Sequence, residues 1–457
     1  MALAHTQAAN PHWTKRVGLS DLSHIPGENG LPVFGTTFRL LKDPPAYGKY
    51  LTEKYGNIYR TNALGSVGVT LIGPEANELL FMDREKLFSS EQGWGPVLNL
   101  LFPRGLMLMD FDHHRADRRA LGIAFKPEPM RHYVGQMNRV FAEKLPDWIG
   151  DMLFFPAIKQ LTLDVAMESF FGVELGPDAD RMNKSYVDMV QASIGVVRKP
   201  LPFTKMGRGV AGRKFVVDFL TPQIAERRRN ENRQDMFSQF CRARREDGEY
   251  MSDGEIVDHM NFLLLAAHDT ITSSVTSLVW LLAKHPEWQD KLREECLAIA
   301  PAGSDISYDD MGKFELLEMA FKEALRLIPP VPSIPRRALR DFEFMGYKIP
   351  AGTPVGISPA YVHKMEEYWP EPEKFDPMRF TPEAVKARHK YAWVPFGGGA
   401  HMCLGLHFAY MQIKILVHAM LTQNRVVLQG GPDYEPKWQV FPIPQPRDGL
   451  PVRLERL

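Results

Sequence analysis

Between about Pro74 and Leu327, apolar residues recur every three to four positions. That is the spacing of helices with one buried face. The longest such segment is His259–Lys284, interrupted by His268, Asp269 and several hydroxyls. Those polar groups predict a buried core helix rather than a membrane span. Phe314–Leu327 has the same spacing and stops before Pro329-Pro330, which cannot continue a helix. Leu404–Leu421 is a further helical run. Period-two alternation is confined to Ile58–Ile72 and Asp341–Ile357, which predict short strands. The pattern is that of a mainly α chain with small β-sheets, an α+β class.

At 457 residues the chain is long enough for about three domains by the usual prior. No Gly/Ser-rich linker, repeat or low-complexity tract divides it, and the Pro-rich stretches 329–335 and 442–446 lie beside apolar runs. One unit over 1–457 is expected, with 1–24 as a flexible leading segment. Lys and Arg number 55 and Asp and Glu 55, so the formal net charge is zero. That balance excludes the basic footprint of a nucleic-acid binder. The short runs Arg227–Arg229 and Arg242–Arg245 read as solvated helix faces. Three cysteines exclude a disulfide scaffold and fit a reducing compartment, with Cys241 and Cys296 as structural residues. Met1–Lys42 holds no long apolar run and no signal-peptide pattern, so no membrane anchor is expected and a cytoplasmic location is.

The third cysteine stands in Phe396-Gly397-Gly398-Gly399-Ala400-His401-Met402-Cys403-Leu404-Gly405. The run reads as a thiolate offered to a metal from an exposed loop, with glycines that let backbone approach a flat cofactor. The helical run that follows would place partial positive charge beside the thiolate. A buried structural Cys in a Gly-rich turn is one alternative. Zinc held by His401, Cys403 and His407 is another, but it lacks a fourth ligand. The spacing Phe-x-x-Gly-x-His-x-Cys-x-Gly resembles the haem-ligand loop of the cytochrome P450 monooxygenases.

Three further motifs follow that family's order. Glu323-x-x-Arg326 shares a helix face. Phe375-Asp376-Pro377-Met378-Arg379-Phe380 resembles the segment whose Arg379 would join Glu323 and Arg326 in a buried network. Ala266-Ala267-His268-Asp269-Thr270 resembles the oxygen-activation groove of the family's longest helix. Ala267 stands where the family has Gly, so a smaller local widening of that helix is expected. His114 and Arg118 match the family's His/Trp-x-x-x-Arg element, and Arg336 or Arg337 matches the Arg of the strand after Pro329-Pro330. With His401 these would satisfy the two haem carboxylates, which are costly to bury unpaired. The resemblance runs from Ile25-Pro26-Gly27 to the C-terminus.

The resemblance implies the cytochrome P450 fold, with haem b between the long central helix and the Cys-ligand helix. Cys403 would be the axial iron ligand, with Phe396 packed over the sulfur side of the ring. Asp269 and Thr270 would be the catalytic residues. Thr270 would hydrogen-bond the bound dioxygen or its water, and Asp269 would gate protons from solvent. The activity implied is hydroxylation with O2 and two electrons. No reductase segment follows, so electrons would come from a ferredoxin or flavodoxin with its reductase. Arg115, Arg119, Lys126 and Lys414 could supply cations for docking. The chain looks like a soluble, bacterial-type monomer.

Ala-His-Asp-Thr looks more like the retinoid-hydroxylating and cyanobacterial members of the sterol demethylase clan than like the sterol enzymes themselves. A large apolar substrate is therefore expected: a terpenoid, retinoid, steroid or fatty acid. Trp94–Met109 could wall its pocket or simply pack the core. Leu201, Phe203 and Met206 could form a lid or a packed surface loop. Competing readings are a peroxide-driven peroxygenase, a P450-fold isomerase or dehydratase, and a non-catalytic haem sensor. The Asp269-Thr270 pair disfavours the first two.

Overall fold

The computed structural model describes residues 17–457 apart from Ile194, Val196, Val197 and Phe441. The chain divides into two compact units, each assembled from separate stretches. One holds residues up to Arg115, Val331–Lys374 and Val385–Cys403. The other holds Ala116–Pro330, Phe375–Ala384 and Leu404–Leu457.

The first unit is organised by a five-stranded sheet. Its order is Ile58–Ala63, Ser66–Leu71, Pro354–Ile357, Ile334–Ala338 and Phe88–Ser89. The first two strands are a hairpin, the alternating stretch expected near Ile58–Ile72. Ser66–Leu71 pairs parallel with Pro354–Ile357, and Ile334–Ala338 is antiparallel to it with Arg336 opposite Val355. Ile58, Val69, Leu71, Val355 and Ile357 are buried with Leu22, Ile25 and Phe81 in one cluster. Ser20–Leu22 is already a turn of 3-10 helix and Leu22 is fully buried, so order begins inside the segment expected to be flexible. Residues 1–16 of that segment lie outside the described residues.

The second unit is mostly helical. Its longest helix is Asp253–Lys284, and it starts before His259 because of a capping box. The Ser252 amide donates to Glu255 at 2.8 Å while the Glu255 amide donates to the Ser252 hydroxyl. The helix is long and apolar enough to cross a bilayer, yet most of its apolar stretch is buried, as expected of a core helix. Glu315–Leu327 buries Leu317, Ala320, Phe321 and Ala324 along one stripe. A three-stranded sheet of Gly150–Leu153, Pro451–Arg456 and Asn424–Leu428 was not expected from the pattern.

Candidate active site

In the first unit, Cys403 is exposed. Its amide donates to the Phe396 carbonyl at 2.9 Å and closes the Phe396–Cys403 loop. Gly399 has φ +58, and a Cβ there would lie 1.8 Å from the Phe81 carbonyl oxygen. The most crowded glycine of the run therefore accommodates the end of the helix Pro74–Met82. Sequence reasoning assigned the glycines to a cofactor, and part of their need is internal. The His401 ring lies against that of buried His114, centroids 3.9 Å apart.

Arg336 and Arg337 are both buried on one strand. Successive strand residues face opposite sides, so only one of them serves a given site. Helix Ser90–Leu98 approaches this strand closely, and a Cβ on Gly93 would meet the Pro335 carbonyl at 2.7 Å. The Arg336 guanidinium donates to its neighbour's Pro335 carbonyl at 2.9 Å. Asp110 does not pair with it, because its oxygens accept from Ser89 Oγ at 2.5 Å and the Ser90 amide at 2.7 Å. Burial pulls the Arg336 guanidinium down to about 10, against a smaller opposing pull from Asp110 and Asp83. Among the described residues no carboxylate comes within ion-pair distance of it. A buried cation in this state calls for an external anion, and a haem carboxylate fits that need.

In the second unit the long helix carries Asp269 and Thr270. Lys159 Nζ lies 3.5 Å from Asp269 Oδ1, and His268 Nδ1 lies 3.1 Å from the same oxygen. Burial pushes the Asp269 carboxyl up, but the His268 and Lys159 contacts outweigh it and hold it below the usual carboxylate value. The Thr270 hydroxyl donates to the Ala266 carbonyl at 2.7 Å, one turn back. Helix hydrogen bonding runs unbroken through Ala267. Lys159 was not named from sequence, because nothing local links it to a partner more than a hundred positions away. His268 was visible as the residue preceding Asp269.

Also in the second unit, Arg326 grips Glu323 with two hydrogen bonds, and the Asp376 amide donates to Glu323 Oε1 at 3.0 Å. Arg379 Nε is 3.4 Å from that oxygen. The expected network of Glu323, Arg326 and Arg379 is assembled. Arg118 lies four positions after His114 on helix Phe111–Leu121, a spacing that shares a helix face.

Other expectations are corrected. Lys414 is buried, with its ammonium on Glu318 and the Met311 carbonyl, so it is no docking cation. Arg119 stays exposed while paired with Glu246, as Arg115 does with Asp112, so neither is overturned as a docking cation. Arg227 is not solvated: it is buried, bonded to Asp235, Ser238 and the Phe171 carbonyl. Arg245 reaches Asp117 and Glu255 rather than facing solvent. Phe203 and Leu201 are exposed, whereas Met206 is fully buried and belongs to the core. Within Trp94–Met109, Leu98, Leu101, Phe102 and Leu108 are buried and Val97 is exposed. Cys241 and Cys296 are buried, and burial pushes both thiols up to about 12. Among the described residues no group of three or more His, Cys, Asp or Glu is placed to hold a metal ion, which leaves the zinc alternative without support.

Comparison with known proteins agrees with this geometry. The family model for cytochrome P450 matches residues 25–451. The chain is 37% identical over 443 residues to cytochrome P450 136 of Mycobacterium tuberculosis, covering 95% of this chain and 89% of that one. It is 30% identical over 463 residues to a beta-amyrin 28-monooxygenase of Kalopanax septemlobus, covering 96% and 94%. The retinoic acid-bound structure of cyanobacterial CYP120A1 superposes with a TM-score of 0.86 at 29% identity, covering 95% of this chain and 99% of that one. The chain belongs to the cytochrome P450 family. It has that family's fold, its haem b cofactor and its reaction class, monooxygenation.

Proposed function

We propose that this monooxygenase hydroxylates a large apolar substrate of the terpenoid, retinoid, steroid or fatty-acid kind. Relatives along nearly the full chain support this: one is named for oxidising beta-amyrin and another was solved with retinoic acid. Cys403 would hold the haem iron, and the haem so held would supply the activation of O2. The chain's own residues do the rest. Cys403 supplies the thiolate and Phe396 packs beside it. Arg336, with His114, Arg118 and His401, holds the haem carboxylates. Glu323, Arg326 and Arg379 tie helix Glu315–Leu327 to the segment Phe375–Phe380. Thr270 orients the reacting oxygen and Asp269 controls proton entry.

The observation that carries the catalytic assignment is the adjacent pair on the long helix. One carboxylate is held ionised by His268 and Lys159, and next to it is a hydroxyl bonded within its own helix. Peroxide-driven members of the family typically lack such a pair, which disfavours that reading. Two electrons come from a ferredoxin or flavodoxin with its reductase. Exposed Arg115 and exposed Lys126 each offer a cation to an acidic partner. A monomer in a reducing, cytoplasmic setting is consistent with two deeply buried thiols.

The test is an optical titration of the ferric protein with terpenoids, retinoids, steroids and fatty acids. A low-to-high-spin Soret shift with one class identifies the substrate. Absence of a thiolate-type haem spectrum would overturn the assignment of Cys403. Shifts with none of the four classes would overturn the substrate reading.

A further inference from the structure

His268 is buried on the long helix, one position before Asp269. Its Nε2 lies 3.1 Å from the Lys159 carbonyl oxygen. A carbonyl can only accept, so Nε2 carries a hydrogen. Its Nδ1 lies 3.1 Å from Asp269 Oδ1. In a neutral ring with its hydrogen on Nε2, the Nδ1 lone pair would face a carboxylate oxygen. Two acceptors at that distance repel. One proton on Nδ1 turns the repulsion into an imidazolium–carboxylate attraction. The approach is oblique to a straight hydrogen bond, so the attraction is mainly between charges.

The groups that face His268 come from three helices. Asp269 is on its own helix, and Lys159 comes from Phe154–Ala166. Tyr186, from Pro177–Ser193, sets its ring edge-on to the imidazole with centroids 5.4 Å apart. Tyr186 is fully buried and closes its side of the cluster to water. The Lys159 side chain is 31% exposed, so the other side reaches solvent. Its charge is screened there, which lessens its repulsion of a second cation.

We propose that His268 stores a proton for the site: an imidazolium held against Asp269, immediately before Thr270. This rests on the monooxygenase reading of Asp269 and Thr270. In turnover the Nδ1 proton passes to Asp269 Oδ1, leaving a neutral imidazole with its hydrogen on Nε2. Asp269 hands that proton on toward the Thr270 hydroxyl and returns to a carboxylate. A proton from solvent, entering on the Lys159 side, reloads Nδ1. His268 acts through Asp269 and does not itself touch the reacting atoms.

The first test reads the ring directly. The holoprotein is labelled with ¹⁵N-histidine and held in its diamagnetic ferrous–CO form, and His268→Gln assigns the signal. Both ring nitrogens are expected in the protonated range at neutral pH. Asp269→Asn should return the ring to a neutral Nε2–H tautomer at that pH. A neutral ring in the parent protein would overturn the proposal, and so would an imidazolium that persists in Asp269→Asn.

The second test follows product formed per electron against pH. His268→Gln keeps an N–H for the Lys159 carbonyl but cannot store a proton. It should lose about tenfold of coupled turnover above pH about 7, the lower edge of general acid–base effects, and less in acid. It should also change the solvent isotope effect. A parent-like pH profile and isotope effect would overturn the proposal. Loss of coupling in Thr270→Ala with none in His268→Gln would refute the store while leaving the monooxygenase reading intact. A parent protein without a thiolate-type spectrum would instead defeat that reading, and the NMR result would still report the proton.

Discussion

Arg326 straddles Glu323: Nε meets Oε2 at 2.7 Å and Nη2 meets Oε1 at 2.8 Å, and solvent reaches neither side chain. An i,i+3 pair on a surface helix would contribute little. Here both charges are desolvated, so removing one strands the other. Arg326→Ala should cost about 3–5 kcal/mol of stability. Arg379→Ala should cost less, because Arg379 is partly exposed and its Nε stands at 3.4 Å from Glu323. Urea unfolding of the two variants beside the parent ranks them. Equal costs would show that the two arginines share Glu323 evenly.

Gly399 is held at φ +58 with the Phe81 carbonyl where a Cβ would go. Gly399→Ala must strain the backbone or push the helix end away from the loop. A loss of more than about 1 kcal/mol is expected, with faster haem loss because the same loop carries Cys403. Thermal melting and the decay of the ferrous–CO band check both parts. A variant that melts like the parent would mean the loop relaxes freely.

Arg336 is a buried cation that donates to one backbone carbonyl, that of Pro335. A charge-assisted hydrogen bond to an anion is worth about 1.5–3 kcal/mol. Arg336→Leu should therefore speed haem transfer to an acceptor protein by roughly 10- to 100-fold, since about 1.4 kcal/mol is tenfold. Arg337→Leu is the control, because its side chain leaves the strand on the opposite face. If Arg337→Leu loses haem and Arg336→Leu does not, the two positions exchange roles.

The helices and the site were legible to different depths. Period and breakers announced the segments ending at Lys284, Leu327 and Leu421, because buried faces write themselves locally into sequence. The start of the long helix was misplaced because its cap, Ser252 with Glu255, precedes the apolar run. The sheet of Gly150–Leu153, Asn424–Leu428 and Pro451–Arg456 brings Gly150–Leu153 to a strand some three hundred residues away, and its short edge strands carry weak alternation. Motif residues such as Cys403, Glu323 and Thr270 were visible because their spacing is fixed within a turn or a loop. Their distant partners were not. Lys159 beside Asp269, Phe81 beside Gly399 and Asp117 beside Arg245 are products of tertiary packing. The same limit explains Arg227 and Lys414, charged residues that read as surface and are buried with partners.

Asp117 makes one such long-range cluster titratable. Its Oδ1 accepts from Arg245 at 2.8 Å and its Oδ2 lies 3.0 Å from His259 Nε2. Burial pushes the carboxyl up, but His259 and Arg245 outweigh it and hold it below the usual range. A folded-state value below the unfolded one stabilises the protein above pH about 4. That contribution is lost as pH falls through the folded value. Asp117→Asn should thus cost about 2 kcal/mol at neutral pH. The gap from the parent should narrow as pH drops below about 4. Denaturant midpoints for both proteins at neutral and acid pH test this. A gap that stays constant would show that shape, not charge, holds Asp117.

Thr270 donates its hydroxyl hydrogen to Ala266, which leaves its oxygen open to accept. To donate toward the reacting oxygen, the hydroxyl must rotate off the Ala266 carbonyl, and that carbonyl keeps its own helix bond meanwhile. The switch is cheap, and it needs only a hydroxyl. Thr270→Ala removes it and should uncouple the enzyme: haem binding stays normal while electrons leave as peroxide or water. Thr270→Ser keeps the hydroxyl without the methyl group and should retain most coupling. Product and peroxide are measured per equivalent of reductant consumed. Unchanged yield in Thr270→Ala would remove Thr270 from the proton path and leave Asp269 to act through water alone. Equal uncoupling in Ala and Ser would place the requirement on the methyl group and its packing, not on the hydroxyl.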